Sequence, residues 1–318
     1  MTNLFLGVDG GQSSTTALIA DAAGSVLGSG TSGPCNHVSA GEGREKLARV
    51  LDACVGAACR DAGISDKTVF EAACFGMSGG AADKELVVRE VIAANKFLVT
   101  DDAVIALAGA LGGRPGVVTI AGTGSIALGR NAENRWARAG GWGHVFGDEG
   151  SAFDIVRQAL RAALRAEEGW GPQTGLSDLF LSQTGLDSLN SVLHVFYEPS
   201  WPRPRVAGLA GEVDRCAREG DKLANEILKG AGQSLALLAQ SARQNLWNDD
   251  SIVDYSYVGG VFRNGIVRER YRALLELDGC SVHAPLLGPA AGAVLEAYRI
   301  GAVFPEIDKL LSSDFKHV

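Results

Sequence analysis

One pattern occurs twice in this 318-residue sequence, and it constrains the fold more than any other feature. Short apolar runs alternate with turns rich in glycine and aspartate across residues 4–32, and the arrangement returns across residues 116–141 as GVVTIAGTG, SIALGR and RWARAGG. Such runs are typical of β-strands joined by tight turns. We therefore predict two three-stranded meanders. Because they share no short fixed period, they indicate a duplication at the scale of a domain.

Strands and helices alternate after the first meander. A helical apolar pattern at residues 44–63 is followed by a strand, VFEAACFGM, and then by a helix, a second strand and another helix. This alternation predicts an α/β fold with a mixed or parallel sheet. Glycine and proline in GALGGRPG, residues 109–116, mark the best boundary. We expect a first lobe at residues 1–112 and a second at 113–302, and we leave open that the tail, about 303–318, returns to the first.

The second lobe is predicted to be richer in helix. Residues 206–246 carry apolar side chains at helical spacing, and the strand SIVDYSYVGG is followed by helices at 264–277 and 289–300. We assign both closing helices to this lobe. A hydrophobic content of 46% is enough to fill two cores.

Composition excludes several classes of partner. With 29 basic and 37 acidic residues, the net charge of -8 gives no attraction for nucleic acid. The chain shows neither a signal peptide nor an apolar run long enough to span a membrane. Its six cysteines include no CxxC pair and no zinc spacing, so we expect reduced, packed thiols and a cytoplasmic location.

A glycine-rich turn follows the first strand of each meander. In DGGQSST, Gly10 and Gly11 let backbone amides approach an anion, and Ser13 adds a hydroxyl. In AGTGS, Thr123 and Gly124 repeat the combination. One such turn could be a plain hairpin. The repetition favours two phosphate-binding turns, one in each lobe, on either side of a cleft.

A third glycine pair points to the rest of a nucleotide. In VGGVFRNG, Gly259 and Gly260 follow a strand and allow close approach of a flat ligand such as adenosine. The chain has no GK pair, so a Walker P-loop is excluded. GSGTSG, residues 28–33, is not a dinucleotide fingerprint, because Pro34 follows it and no helix begins there.

Acidic residues at a strand end supply the candidate base. In TDDA, either Asp101 or Asp102 could face a ligand or cap the next helix. A carboxylate in this place can accept the proton of an attacking sugar hydroxyl.

The segment GGWGHVFGDEGS, residues 140–151, is too glycine-rich to be core. Trp142 can lie against a sugar ring, and Asp148 or Glu149 can accept hydrogen bonds from the sugar hydroxyls. We expect His144 to form hydrogen bonds rather than to bind metal, since it has no partners at ligand spacing.

Together, DGGQSST, TDDA, AGTGS, GGWG with GDEGS, and VGG resemble, in order, the motifs of N-acetylglucosamine kinases in the BadF/BadG/BcrA/BcrD ATPase family. The resemblance implies a two-lobed, actin-like (ribonuclease-H-type) α/β fold with a central cleft. It also implies use of ATP and Mg²⁺, and phosphorylation of an amino sugar at its 6-hydroxyl.

Residue roles follow from the same resemblance. Asp102 matches the general base, with Asp101 as second choice, and Asp9 matches the acid near Mg²⁺, acting through water. Ser13 and Thr123 match hydroxyls that contact phosphate. The positions matching sugar contacts are Asn36, Ser78, Gly141, Trp142 and Asp148. One departure is Ile126, where the animal-type enzymes carry an asparagine near the sugar.

Three alternatives stay open at this point. Ile126 leaves room for glucosamine or another hexose as the substrate. A sugar sensor without catalysis is a second alternative, against which the retained Asp102 argues. The third is an activator ATPase with a cysteine-held cluster, for which we find no suitable cysteine beside a glycine-rich turn. The expected ligands are a sugar and ATP, without nucleic acid or membrane, and a homodimer is left open.

Overall fold

The chain folds into two compact units, each built on one five-stranded sheet. A computed structural model describes residues 3–35, 42–79, 84–248, 250–276 and 280–311. The first unit falls within Met1–Pro115 and Ala284–Val318, and the second is Gly116–His283. The α/β fold predicted from the sequence is confirmed. No helix among the described residues is long and apolar enough to cross a membrane.

The first unit is a sheet with helices on both faces. Its elements are β1 (Leu4–Gly10), β2 (Thr15–Asp21), β3 (Val26–Ser32), α1 (Glu42–Asp61), β4 (Phe70–Met77), α2 (Glu85–Val91), β5 (Ala94–Asp101), α3 (Asp102–Leu111), α12 (Pro289–Gly301) and α13 (Ile307–Leu311). The strand order is β3-β2-β1-β4-β5, antiparallel through the meander and parallel from β1 to β5. Alternate residues of β1 enter different cores, since Leu6 and Val8 face α1 whereas Phe5 faces α12.

The second unit repeats this topology. Its elements are β6 (Gly116–Ala121), β7 (Ser125–Arg130), β8 (Trp136–Gly140), α4 (Gly143–Phe146), α5 (Ala152–Glu167), α6 (Leu176–Thr184), α7 (Leu189–Val195), α8 (Arg203–Gly208), α9 (Ala210–Arg218), α10 (Lys222–Gln244), β9 (Asp254–Val258), α11 (Gly265–Leu275) and β10 (Ser281–His283). The order β8-β7-β6-β9-β10 is again a meander followed by two parallel strands. The predicted duplication is therefore present in the sheets.

The position of α12 corrects the sequence-based division. We expected helix 289–300 to close the second lobe, but it belongs to the first unit, where it packs on α3, β1 and β4. Small residues make this packing close: a Cβ atom at Gly7 would collide with the backbone of Val294, and one at Gly292 with the backbone of α3. An apolar pattern predicts that a helix is buried, but it does not show which sheet the helix packs on. Here Gly7 and Gly292 allow α12 to approach the first unit closely.

Candidate active site

Three parallel strands of the first unit end side by side, and the predicted residues lie at those ends. Gly10, Met77 and Asp101 are neighbours across β1, β4 and β5. The Ser78 amide donates to the Gly10 carbonyl at 3.0 Å. The first phosphate turn, the predicted sugar contact Ser78 and the acidic pair therefore share one edge of the sheet.

The turn after β1 is held by its own backbone. The Gly11 amide donates to the Ser14 carbonyl, and the Cys35 amide donates to the Gly11 carbonyl, both at 3.0 Å. The Thr15 hydroxyl is buried and donates to the Gly33 carbonyl at 2.7 Å. Ser13 is exposed at the tip. Of these two hydroxyl groups, the one at Ser13 is available to a ligand.

Asp9 and Asp102 form an acidic pair at this edge. Burial, and then the negative charge of Asp102, raise the pKa of Asp9 from 3.8 to about 6. Asp102 is exposed at the first position of α3. Asp101, the residue before the helix, makes no side-chain capping bond. Repelling carboxylates in a partly buried place are stabilised by a cation, so Asp9 and Asp102 fit Mg²⁺ or a proton acceptor role. No cluster of three or more metal-binding side chains occurs among the described residues.

Cys35 lies closer to the first turn than the sequence suggested. A Cβ atom at Gly10 would lie 3.4 Å from the Cys35 Cβ, and the thiol is 2.9 Å from the Thr15 hydroxyl. The side chain is buried, and burial raises the pKa of its thiol. A buried, protonated thiol is a packing group rather than a cluster ligand. The six cysteines are all free and buried.

The second phosphate turn, residues 121–125, is tied to the loop before α5. The Ala152 amide donates to the Gly122 carbonyl at 2.9 Å, and the Ser125 hydroxyl donates to the Glu149 carbonyl at 2.7 Å. The Ser125 amide donates to Asp148 Oδ1 at 3.3 Å. The predicted phosphate and sugar segments of this unit therefore form one structure.

Asp148 is buried, with 5% of its surface exposed. Its Oδ2 accepts a hydrogen bond from Arg203 Nη2 at 2.9 Å. A Cβ atom at Gly124 would lie 2.8 Å from the same carboxylate oxygen. Glycine at position 124 is thus required by the acid that packs against it.

Trp142, in the predicted sugar segment, is exposed, with 71% of its surface accessible. Arg138 lies 5.2 Å from the Trp142 ring centre and donates from Nη2 to the Gly141 carbonyl at 2.6 Å. Ile126 lies beneath this loop, because a Cβ atom at Gly141 would be 2.9 Å from its Cδ1. The His144 ring makes an edge contact with Phe153, with the ring centres 5.2 Å apart, and its hydrogen-bonding role stays a prediction.

A cavity of about 640 Å³ joins the two predicted nucleotide segments of the second unit. Thr123 and Gly260 both line it, since β6 and β9 are adjacent parallel strands. Gly259 has a φ of 109° and leaves no room for a side chain against Ala121. The other wall, which the sequence did not indicate, includes Pro204, Ala207, Gly208, Gly211 and Asp214 of α8 and α9.

The match to known proteins covers nearly the whole chain. Residues 6–297 match the BadF/BadG/BcrA/BcrD ATPase family. The protein belongs to this family. An N-acetylmuramic acid/N-acetylglucosamine kinase of Clostridium acetobutylicum is 33% identical over 86% of this chain and 90% of its own. An N-acetyl-D-glucosamine kinase of Dictyostelium discoideum is 32% identical over 84% and 88%.

A solved structure has the same fold. A Chromobacterium violaceum protein, proposed to be an N-acetylglucosamine kinase, has 23% identity and a TM-score of 0.73 over 92% of this chain and 98% of its own. The two proteins therefore share their fold over nearly the whole of both chains.

The structure groups the predicted residues into two sets. In the first unit these are Asp9, Gly10, Gly11, Ser13, Ser78 and Asp102; in the second, Thr123, Gly124, Gly141, Trp142, Asp148, Gly259 and Gly260. Asn36 lies outside the described residues. Two basic residues were missed: Arg203, and the buried Lys84, whose Nζ donates to the Ser78 carbonyl. No spacing pattern in the sequence connects Arg203 with Asp148.

Proposed function

We propose that this ATPase-family protein is an ATP-dependent kinase that phosphorylates an amino sugar, foremost N-acetylglucosamine, at its 6-hydroxyl. The observation that carries the proposal is the acidic pair Asp9 and Asp102 at the strand ends, beside the first phosphate turn and Ser78. The names of the two relatives, both amino sugar kinases, support this reaction over sensing or electron-transfer activation.

In this proposal Asp102 is the general base. Its carboxylate is exposed at the junction of β5 and α3 and can take the proton of the sugar 6-hydroxyl as the phosphoryl group is transferred. Asp101 is the alternative, since it too is exposed and forms no capping bond. Position and charge supply most of the acceleration in phosphoryl transfer. The distance and orientation of the base relative to the sugar 6-hydroxyl therefore matter more than its basicity.

Asp9 would hold Mg²⁺ through a water molecule. The pKa of about 6 means that Asp9 is largely ionised at neutral pH, as a cation-binding acid must be. A bound Mg²⁺ neutralises charge on the ATP phosphates. Ser13 and the amides of Gly10 and Gly11 would contact phosphate oxygens from the first unit.

The second unit would hold the nucleotide. Thr123 and the amide of Gly124 would contact phosphate, and Gly260, which lines the cavity of about 640 Å³, would contact adenosine. This volume is in the range of pockets that bury small ligands. The glycines allow the base and the backbone to approach closely.

The sugar contacts proposed are Ser78, Gly141, Trp142 and Asp148, together with Asn36. Trp142 offers an exposed ring face for the apolar side of a pyranose. Ile126 lies against Gly141 and brings no hydrogen-bonding group there. Glucosamine or another hexose is therefore the second candidate acceptor, because a missing polar contact weakens selection for the acetamido group.

An acceptor panel tests the reaction and the sugar together. ADP release is measured with N-acetylglucosamine, glucosamine, glucose, N-acetylmannosamine and N-acetylmuramic acid, each with and without Mg²⁺. We expect the fastest Mg²⁺-dependent release with N-acetylglucosamine. Faster release with glucosamine would keep the kinase and change its substrate. Sugar binding without ADP release from any acceptor would instead indicate a sensor.

A further inference from the structure

Arg203 is the basic residue that contacts Asp148. It begins α8 and stands between Pro202 and Pro204. Its Nη2 donates to Asp148 Oδ2 at 2.9 Å, while the Ser125 amide donates to Asp148 Oδ1 at 3.3 Å. One carboxylate is therefore held from both sides, by the start of α8 and by the second phosphate turn.

The buried position of Asp148 means that its carboxylate needs a charged partner such as Arg203 to stay in place. Asp148 is buried and its φ is 60°, so its backbone is in the left-handed region that non-glycine residues rarely adopt. A buried carboxylate that loses its charged partner is poorly solvated and adopts another position or takes up a proton. Gly124, whose missing side chain leaves space for the carboxylate, sets one limit to that movement.

The guanidinium is held mainly by this acid. Its Nε is buried without a hydrogen-bond partner among the residues that the structure describes, and its carbon lies 5.7 Å from the Phe153 ring centre. The side chain is 38% exposed, whereas that of Asp148 is 7% exposed. Arg203 is therefore the solvent-facing member of the ion pair, and its guanidinium orients the buried Asp148 carboxylate.

We propose that Arg203 is a positioning residue for sugar recognition. It holds the Asp148 carboxylate in the orientation in which the carboxylate accepts hydrogen bonds from the sugar hydroxyls. This inference rests on the proposed function. Arg203 contacts Asp148 directly, whereas the second phosphate turn keeps its own bonds from Ser125 to Asp148 and to the Glu149 carbonyl. The loss should therefore fall on the apparent affinity for the sugar.

The first test compares Arg203→Gln with Arg203→Lys, using ATP and the best acceptor of the panel. We expect Arg203→Gln to raise the KM for the sugar by about tenfold or more, since it leaves the buried Asp148 carboxylate without its charged partner. The KM for ATP should change less than about threefold. Arg203→Lys should recover part of the loss, because it keeps the charge without the planar fork.

Arg205→Gln is the matched control. Arg205 lies on the same helix, exposed, and donates to the Ser200 carbonyl while its guanidinium lies 4.0 Å from the Trp201 ring centre. The Arg205→Gln substitution should leave the KM values for the sugar and for ATP unchanged. Equal rises in the two KM values for Arg203→Gln, or no rise for the sugar, would overturn the inference while the kinase proposal stands.

A double-mutant cycle keeps the test usable if Arg203→Gln folds poorly. In Asp148→Asn combined with Arg203→Gln, two neutral amides replace the ion pair, and no unpaired charge is buried. If Arg203 acts through Asp148, kcat/KM for the sugar in the double variant should equal that of Asp148→Asn alone. Additive losses would contradict it. Absence of sugar turnover in the wild type would contradict the proposed function instead.

Discussion

Burial in the folded protein changes the ionisation of Asp9. In the folded protein its pKa is about 6, against an ordinary value of 3.8, because it is buried and faces the charge of Asp102. The folded state therefore binds this proton more tightly than the unfolded chain, and stability is lost as the pH rises from about 4 to about 6. An acid kept in an unfavourable place needs a functional reason.

We predict that Asp9→Asn abolishes sugar-dependent ADP release but stabilises the fold above pH 6. The free energy of unfolding of the variant relative to the wild type should grow by about 2–3 kcal/mol between about pH 4 and pH 7. Urea denaturation across this range measures it, with Asp101→Asn as the control. Mg²⁺ should stabilise the wild type more than Asp9→Asn. Parallel pH profiles for the two proteins would contradict the account.

At the scale of elements, glycines decide how closely α12 packs. Gly292 contacts the backbone of α3, at Ile105 and Gly109, and leaves no space for a methyl group. Gly230 of α10, by contrast, has open space where a Cβ would be. The two helical glycines differ only in what lies beside them.

We predict opposite effects of the same substitution at these two glycines. Gly292→Ala should destabilise the protein by about 2–3 kcal/mol, because overpacking against backbone cannot relax by a rotamer change. Gly230→Ala should stabilise it by about 0.5–1 kcal/mol through helix propensity. Thermal unfolding of both variants beside the wild type tests this. If both variants were less stable than the wild type, the contact of Gly292 with α3 would not be the cause of the destabilisation.

The whole molecule was partly predictable because its topology follows from local patterns. The two meanders are encoded by apolar runs and by turns such as DGGQSST, and each five-stranded sheet contains the predicted meander. The three-residue strand β10 and the helices α6 and α7 were not predicted. Their runs are short, and tertiary packing decides their conformation.

The rest of the site depended on contacts between distant residues. Glycine pairs and strand-end acids indicated the phosphate turns and Asp102, since those chemistries need local residues. Arg203 lies 55 positions after Asp148 in the sequence, and nothing in the spacing connects them. Likewise, an apolar pattern at residues 289–300 could not tell which sheet would receive α12. Folding creates these pairings, so sequence periodicity does not reveal them.

In the proposed reaction, Asp102 takes the proton from a sugar 6-hydroxyl. The most direct test measures formation of N-acetylglucosamine 6-phosphate from ATP by ³¹P NMR, in the wild type, Asp102→Asn and Asp101→Asn. We predict a loss of about a hundredfold or more in kcat for Asp102→Asn with sugar binding retained, and near wild-type kcat for Asp101→Asn. Undiminished product from Asp102→Asn, or a loss confined to Asp101→Asn, would contradict the account.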